Sequence, residues 1–176
     1  MCKRVFLFAS FILLVAAAPS VLANPIGVFD FSQDIGTPGD PWTIGFTTIV
    51  DNAYIITAGG SDIWDNADHF HYAYKEVAGD VRLSFHPEWH LGNKNDWAKI
   101  GAMIREDTSA GSVHYSAATR RGGGDAKEQS KVDNYVGLQF RPVKDGGSST
   151  LDWWGKPVDK IAIQRLNVEG VDVVQA

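Results

Sequence analysis

Arg105, His114, Gln139 and Arg141 are the residues of this chain whose type and spacing best suit chemistry. Each sits in a run whose alternate positions are largely apolar: Ile100, Ala102 and Ile104, then Val113, Tyr115 and Ala117, then Val136, Leu138 and Phe140. A period of two sends the two sets to opposite faces of a sheet, so paired strands would present the four polar side chains together. Gln164 joins them if the register of its own run, with Ile161 and Ile163, matches. Guanidinium and amide groups are directional donors suited to hydroxyl-rich ligands, and Trp89 and Trp153, near strand ends, offer rings to stack on a sugar face. The competing reading is structural, with Arg105 and Arg141 pairing to a carboxylate such as Asp80 or Glu106.

Asp62, Asp65 and Asp68, with Asn66, form an acidic cluster after a Gly-Gly pair. Hard oxygen ligands of this kind hold calcium, although the spacing is not that of an EF-hand. The same residues also make turns and cap backbone groups. A structural calcium is thus the one cofactor to test for; otherwise none is expected. His69 and His71 share a strand face with His86 and His90 nearby, but zinc wants a third ligand at defined spacing and none offers itself. No GxSxG occurs, and the one cysteine, Cys2, lies at the extreme N-terminus, so a serine or cysteine nucleophile is not expected. The residues read as those of a binding protein, not an enzyme.

The elements that would position these groups are strands. His69 to Lys75 alternates Phe70, Tyr72 and Tyr74 with His71 and Ala73; Val81, Leu83 and Phe85 alternate with Arg82 and Ser84. A first strand is expected at Val28 to Phe31, a second at Thr43 to Val50, and, after a turn at Asp51 and Asn52, a third at Ala53 to Ala58. Polar loops are expected at Pro87 to Asp96, Arg121 to Ser130 and Lys144 to Lys156. Of the six tryptophans, Trp64 and Trp97 are expected in the core, with Trp89, Trp153 and Trp154 candidates for exposure.

The N-terminus reads as a secretory leader over residues 1–23: Lys3 and Arg4, an apolar run from Val5 to Ala18, and a small-residue cleavage site at Val21 to Ala23. The apolar run is short for a membrane span, so stable membrane insertion after cleavage is not expected, and the protein is expected to be secreted or periplasmic. The remaining residues 24–176 suffice for one domain. Loss of Lys3 and Arg4 takes the formal charge from −5 to −7, against a nucleic-acid partner.

The segments GGSDIWDNADHFHYAYKEVAGD, WAKIGAMIRE, YVGLQFRP and IAIQR resemble bacterial secreted, laminin-G-like domains of the concanavalin A-like lectin/glucanase superfamily, often classed as domains of unknown function. The resemblance spans roughly residues 28 to 166. It implies an all-β fold, an antiparallel two-sheet β-sandwich of jelly-roll type with one concave sheet, and a frequent role in binding carbohydrate. Related domains usually continue past the IAIQR-like strand into a hairpin with a turn like SxDGxxW; here VEGVDVVQA follows. Either Val168 to Val174 closes the sandwich or the domain is abbreviated there with an open edge. Glucanases of the superfamily carry an ExDxxE strand that holds two carboxylates about 5–5.5 Å apart for retention. That triplet is absent; Glu76 with Asp80 and Glu106 with Asp107 fall at strand ends and suit turns. The expected function is a carbohydrate- or glycoconjugate-binding domain. The alternative is a structural or adhesive module that contacts another protein, with an unconventional glycoside hydrolase behind both.

Overall fold

The computed structural model describes residues 26–37, 44–89, 98–120, 135–155 and 159–175, and at 120, 135 and 152–155 the backbone alone. Among these residues the regular structure is all strand, with no helix. In chain order the strands are β1 (Phe31–Ile35), β2 (Phe46–Val50), β3 (Ala53–Thr57), β4 (Ile63–Trp64), β5 (Ala67–Asp68), β6 (Phe70–Tyr74) and β7 (Val81–Phe85). They continue as β8 (Lys99–Arg105), β9 (His114–Arg120), β10 (Tyr135–Arg141), β11 (Ser149–Gly155), β12 (Ile161–Val168) and β13 (Val171–Gln175). Every pairing between them is antiparallel.

The largest sheet has the order β11-β10-β9-β8, and a second runs β13-β12-β7. β1 pairs with β6, β2 with β3, and β4 with β5. β12 packs on β8 and β9. Its Ile161 and Ile163 are buried there, as are Ala102 of β8 and Ala117 of β9. Each isoleucine so removed from water contributes roughly 1.5–3 kcal/mol, which holds the two sheets against each other without a disulfide.

Two hairpins owe their register to turn chemistry. Asp51 and Asn52 both adopt positive φ, 50° and 66°, joining β2 to β3 with Val50 opposite Ala53. Glu169 and Gly170, at φ 54° and 83°, join β12 to β13 in the same way. Left-handed conformations at both turn positions match the twist of the flanking strands, and Asn, Asp and Gly are the residues that reach them most easily. Val171 to Gln175 therefore folds back on β12 and forms the outer strand of that sheet among the described residues.

Two strand expectations need correction. The first strand begins at Phe31 rather than Val28, because Gly27 at φ 63° turns the chain and bridges Ile26 to Phe29 before the strand starts. Lys144 to Lys156 is not all loop: Ser149–Gly155 is β11, paired to β10 with a register shift between Gly137 and Gln139. An irregular ladder of this kind masks period-two patterning, and Thr150 secures it by donating its hydroxyl to the Leu138 carbonyl at 3.0 Å.

Candidate functional site

The register of the four-stranded sheet sets Arg105, His114 and Arg141 abreast, Arg105 opposite His114 on one side and Arg141 opposite His114 on the other. One pleat along the same face lie Met103, Ser116 and Gln139, and beyond them Gly101, Ala118 and Gly137. Four of the sequence candidates thus share one sheet face.

That face is closed. Arg141 and His114 are wholly buried, Gln139 is 3% exposed, and the Arg105 side chain is 3% exposed. The cover includes β5, which brings in the buried carboxylate of Asp68. Arg141 grips it bidentately: Nη1 donates to Oδ2 at 2.9 Å and Nη2 to Oδ1 at 2.6 Å. Arg105 Nη1 stands 3.4 Å from Oδ2, and His114 Nε2 3.7 Å from Oδ1. The remaining Arg141 donors reach the carbonyls of Trp64, Asp65, Ala110, Ser112 and Gly146 and the Ser148 hydroxyl. One guanidinium therefore ties three separate turns together, which a planar fork of five N–H groups does and an ammonium cannot.

The electrostatics follow from that packing. One buried carboxylate faces two guanidinium groups, and Arg105 places its second flank over the rings of Phe70 (5.3 Å) and Tyr72 (6.0 Å). Burial lowers the Arg105 pKa, with Asp68 opposing. Burial also lowers His114, to about 4; Asp68 opposes while Arg141 and Arg105 push the same way. The ring is neutral at physiological pH, and neither nitrogen has a hydrogen-bond partner among the described residues.

No family model, curated protein or solved structure matches this chain. What the residues do is therefore read from their geometry.

The other candidates are dispersed. Gln164 lies on β12, in a different sheet, where it bonds Arg82 and Gln175. Asp62 accepts from Lys99, Asp68 from Arg141, and Asp65 adopts φ 47° in the β4–β5 turn, so the three carboxylates do not converge. Among the described residues no group of three His, Cys, Asp or Glu side chains is arranged to hold a metal ion. His69 meets the Thr37 backbone, His86 the Asp159 carbonyl, and His71 is buried between Asp34 and two hydroxyls. His90, Trp42 and Trp97, residues 1–25 with the expected leader, the expected loop at 121–130 and the side chains of Trp153 and Trp154 lie outside the described residues.

A different surface is open. A broad trough between β3, β6, β7 and β8 is lined by Tyr72 and Tyr74, by Trp89, and by Arg82 and Arg165, while the buried Arg105 guanidinium packs against the Phe70 and Tyr72 rings. Same-face pairing builds a run of rings along it, Tyr74 on Tyr72 at 5.2 Å with planes 8° apart and Tyr72 on Phe70 at 5.5 Å, and cross-strand pairing sets Phe31, outside the lining, on Tyr74 at 5.1 Å. The Tyr72 hydroxyl donates to the Met103 carbonyl at 3.0 Å, and burial pushes its pKa up against the pull of Arg105. Phe31 is 41% exposed, and Gln33, Asp30 and Lys75 stand beside it and Tyr74. The alternation of Phe70, Tyr72 and Tyr74 signalled this face in sequence, whereas nothing local announced that Arg105 packs against its Phe70 and Tyr72 rings.

Proposed function

We propose that the chain is an exported jelly-roll domain of the concanavalin A-like kind that binds carbohydrate or glycoconjugate in the trough. The observation that carries this reading is the Tyr72–Tyr74 ring stack lining a groove, with Trp89 and the guanidinium groups of Arg82 and Arg165 in the same wall. Rings offer apolar faces to the C–H surface of a sugar, and arginines offer paired donors to its hydroxyls. Trp89, one of the residues first singled out, borders this groove, whereas the buried Arg105 offers it no free donor. The reading is of binding without glycosidic cleavage. It is tested by a glycan array followed by calorimetry on the best ligand. Binding that weakens at least tenfold in Tyr74→Ala and in Trp89→Ala supports it, and a folded protein silent across the array removes it.

A protein-contact module is the second reading, favoured by the apolar surface around the β2–β3 hairpin, where Ile44 is 77%, Phe46 54% and Val50 48% exposed. Patches of that kind commonly mark association. Concentration-dependent sedimentation abolished by Phe46→Ser, with no glycan affinity, selects this reading over the first.

A further inference from the structure

The pairing of β1 with β6 places Asp34 directly opposite His71, with Ser32 on the same face two residues earlier. Asp34 Oδ1 lies 2.7 Å from His71 Nδ1, and Ser32 Oγ lies 2.7 Å from His71 Nε2. Carboxylate, imidazole and hydroxyl are therefore joined through the two different ring nitrogens, in the order that general-base activation of a serine requires. Asp34 as acceptor fixes the Nδ1–H tautomer, which leaves the Nε2 lone pair facing the Ser32 hydroxyl.

The surroundings sharpen the arrangement. The Gly45 N–H donates to both oxygens of Asp34, at 3.2 and 3.1 Å, so the carboxylate is oriented as well as near. A side chain at Gly45 would collide with His71 Nδ1 and Asp34 Oδ1, so the close approach of this backbone depends on glycine. The His71 side chain is 2% exposed, whereas Ser32 is only half-buried. The base is shielded while the residue that carries its hydroxyl partner keeps part of its surface exposed. Thr47 Oγ1, 3.1 Å from both Ser32 Oγ and His71 Nε2, supplies a second hydroxyl at the same spot. A histidine merely satisfied in a sheet needs one acceptor and one donor; here two hydroxyls converge on Nε2.

We propose that Ser32, His71 and Asp34 form an acyl-transfer site that hydrolyses esters of small acyl groups, with Thr47 donating to the developing oxyanion. In the first step Ser32 Oγ bonds to the ester carbonyl carbon and its proton passes to His71 Nε2. Collapse breaks the ester C–O bond, and the departing alcohol oxygen takes that proton. Water then attacks the acyl-serine, giving its proton to Nε2, and the Ser32 oxygen leaves and is reprotonated from it. The products are an alcohol and a carboxylic acid, with no change of oxidation state. This goes beyond the carbohydrate reading and does not rest on it, since the probe is a simple ester.

The test treats the whole chain with p-nitrophenyl acetate and, separately, with a fluorophosphonate, and locates any adduct by mass spectrometry. The expected result is ester turnover with a single adduct on Ser32, both lost in Ser32→Ala. Asp34→Asn should lower the rate by up to about 10⁴-fold, and Thr47→Val should lower it while leaving labelling at Ser32. Ser32→Cys, which keeps a nucleophile in place, should form an acyl adduct at residue 32. A folded wild-type protein that neither turns over the ester nor takes the label, or a label that persists in Ser32→Ala, overturns the proposal.

Discussion

Arg141 Nη2 lies 2.6 Å from Asp68 Oδ1, and both side chains are wholly out of solvent. A buried pair of this kind adds little over a well-packed apolar pair, yet removing one partner strands a charge. Arg141→Ala and Asp68→Ala should each cost about 3–5 kcal/mol, read from urea midpoints. Arg141→Lys should recover little of it, because an ammonium cannot serve both carboxylate oxygens and the surrounding carbonyls. A lysine variant of wild-type stability would show that only charge matters.

His114 predicts a pH dependence whose sign follows from its burial. Its folded pKa, about 4, lies below the ordinary value of 6.5, so between those values the unfolded chain binds a proton that the folded chain refuses. Stability is therefore full above pH 6.5 and falls on acidification toward pH 4, at a limiting slope of about 1.4 kcal/mol per unit. Asp68, Arg105 and Arg141 are the charged groups that face the ring. Comparing wild type with His114→Gln at pH 7, 5.5 and 4.5 checks it: the variant should lose that part of the slope.

Asp107 makes a separate prediction at the surface. It accepts from Lys144 Nζ at 2.8 Å, from the Ser109 N–H at 2.8 Å, and from the Ser109 hydroxyl. Lys144 first and Ser109 next hold its carboxyl well below the usual range. Lys144→Ala should raise that pKa in a carboxyl-detected NMR titration while barely moving the melting temperature, since exposed pairs stabilise little. Asp107→Ala should lower melting more, because the turn at Ser109 loses its cap as well.

Gly45→Ala isolates close approach from chemistry. The new methyl would meet both His71 Nδ1 and Asp34 Oδ1, so either β2 or the imidazole must move. The expected outcome is a loss of stability together with a changed His71 ring signal in the NMR spectrum, whereas Gly147→Ala, which meets nothing nearby, should alter neither.

Much of the strand pattern was legible because apolar alternation is local: Val81–Phe85 and the runs around Arg105, His114 and Arg141 were readable from period two alone. β11 was not, because its pairing carries a register shift. The shared face of Arg105, His114, Gln139 and Arg141 was also legible, but its burial was not. That depends on Asp68, 73 positions from Arg141 in sequence, which the acidic run Asp62–Asp68 presented as a metal ligand instead. The Ser32–His71–Asp34 arrangement lies on two strands far apart in sequence and carries no short motif, so only pairing reveals it.

The grip of Arg141 on three turns also has a place in time. Its acceptors near residues 65, 110 and 146 meet only after long loops have closed, and that entropy is lost before the contacts form. Interactions completed after the folding barrier leave the refolding rate nearly untouched and act on the reverse reaction. Arg141→Ala is therefore expected to speed unfolding more than it slows refolding, read from the two arms of a chevron plot.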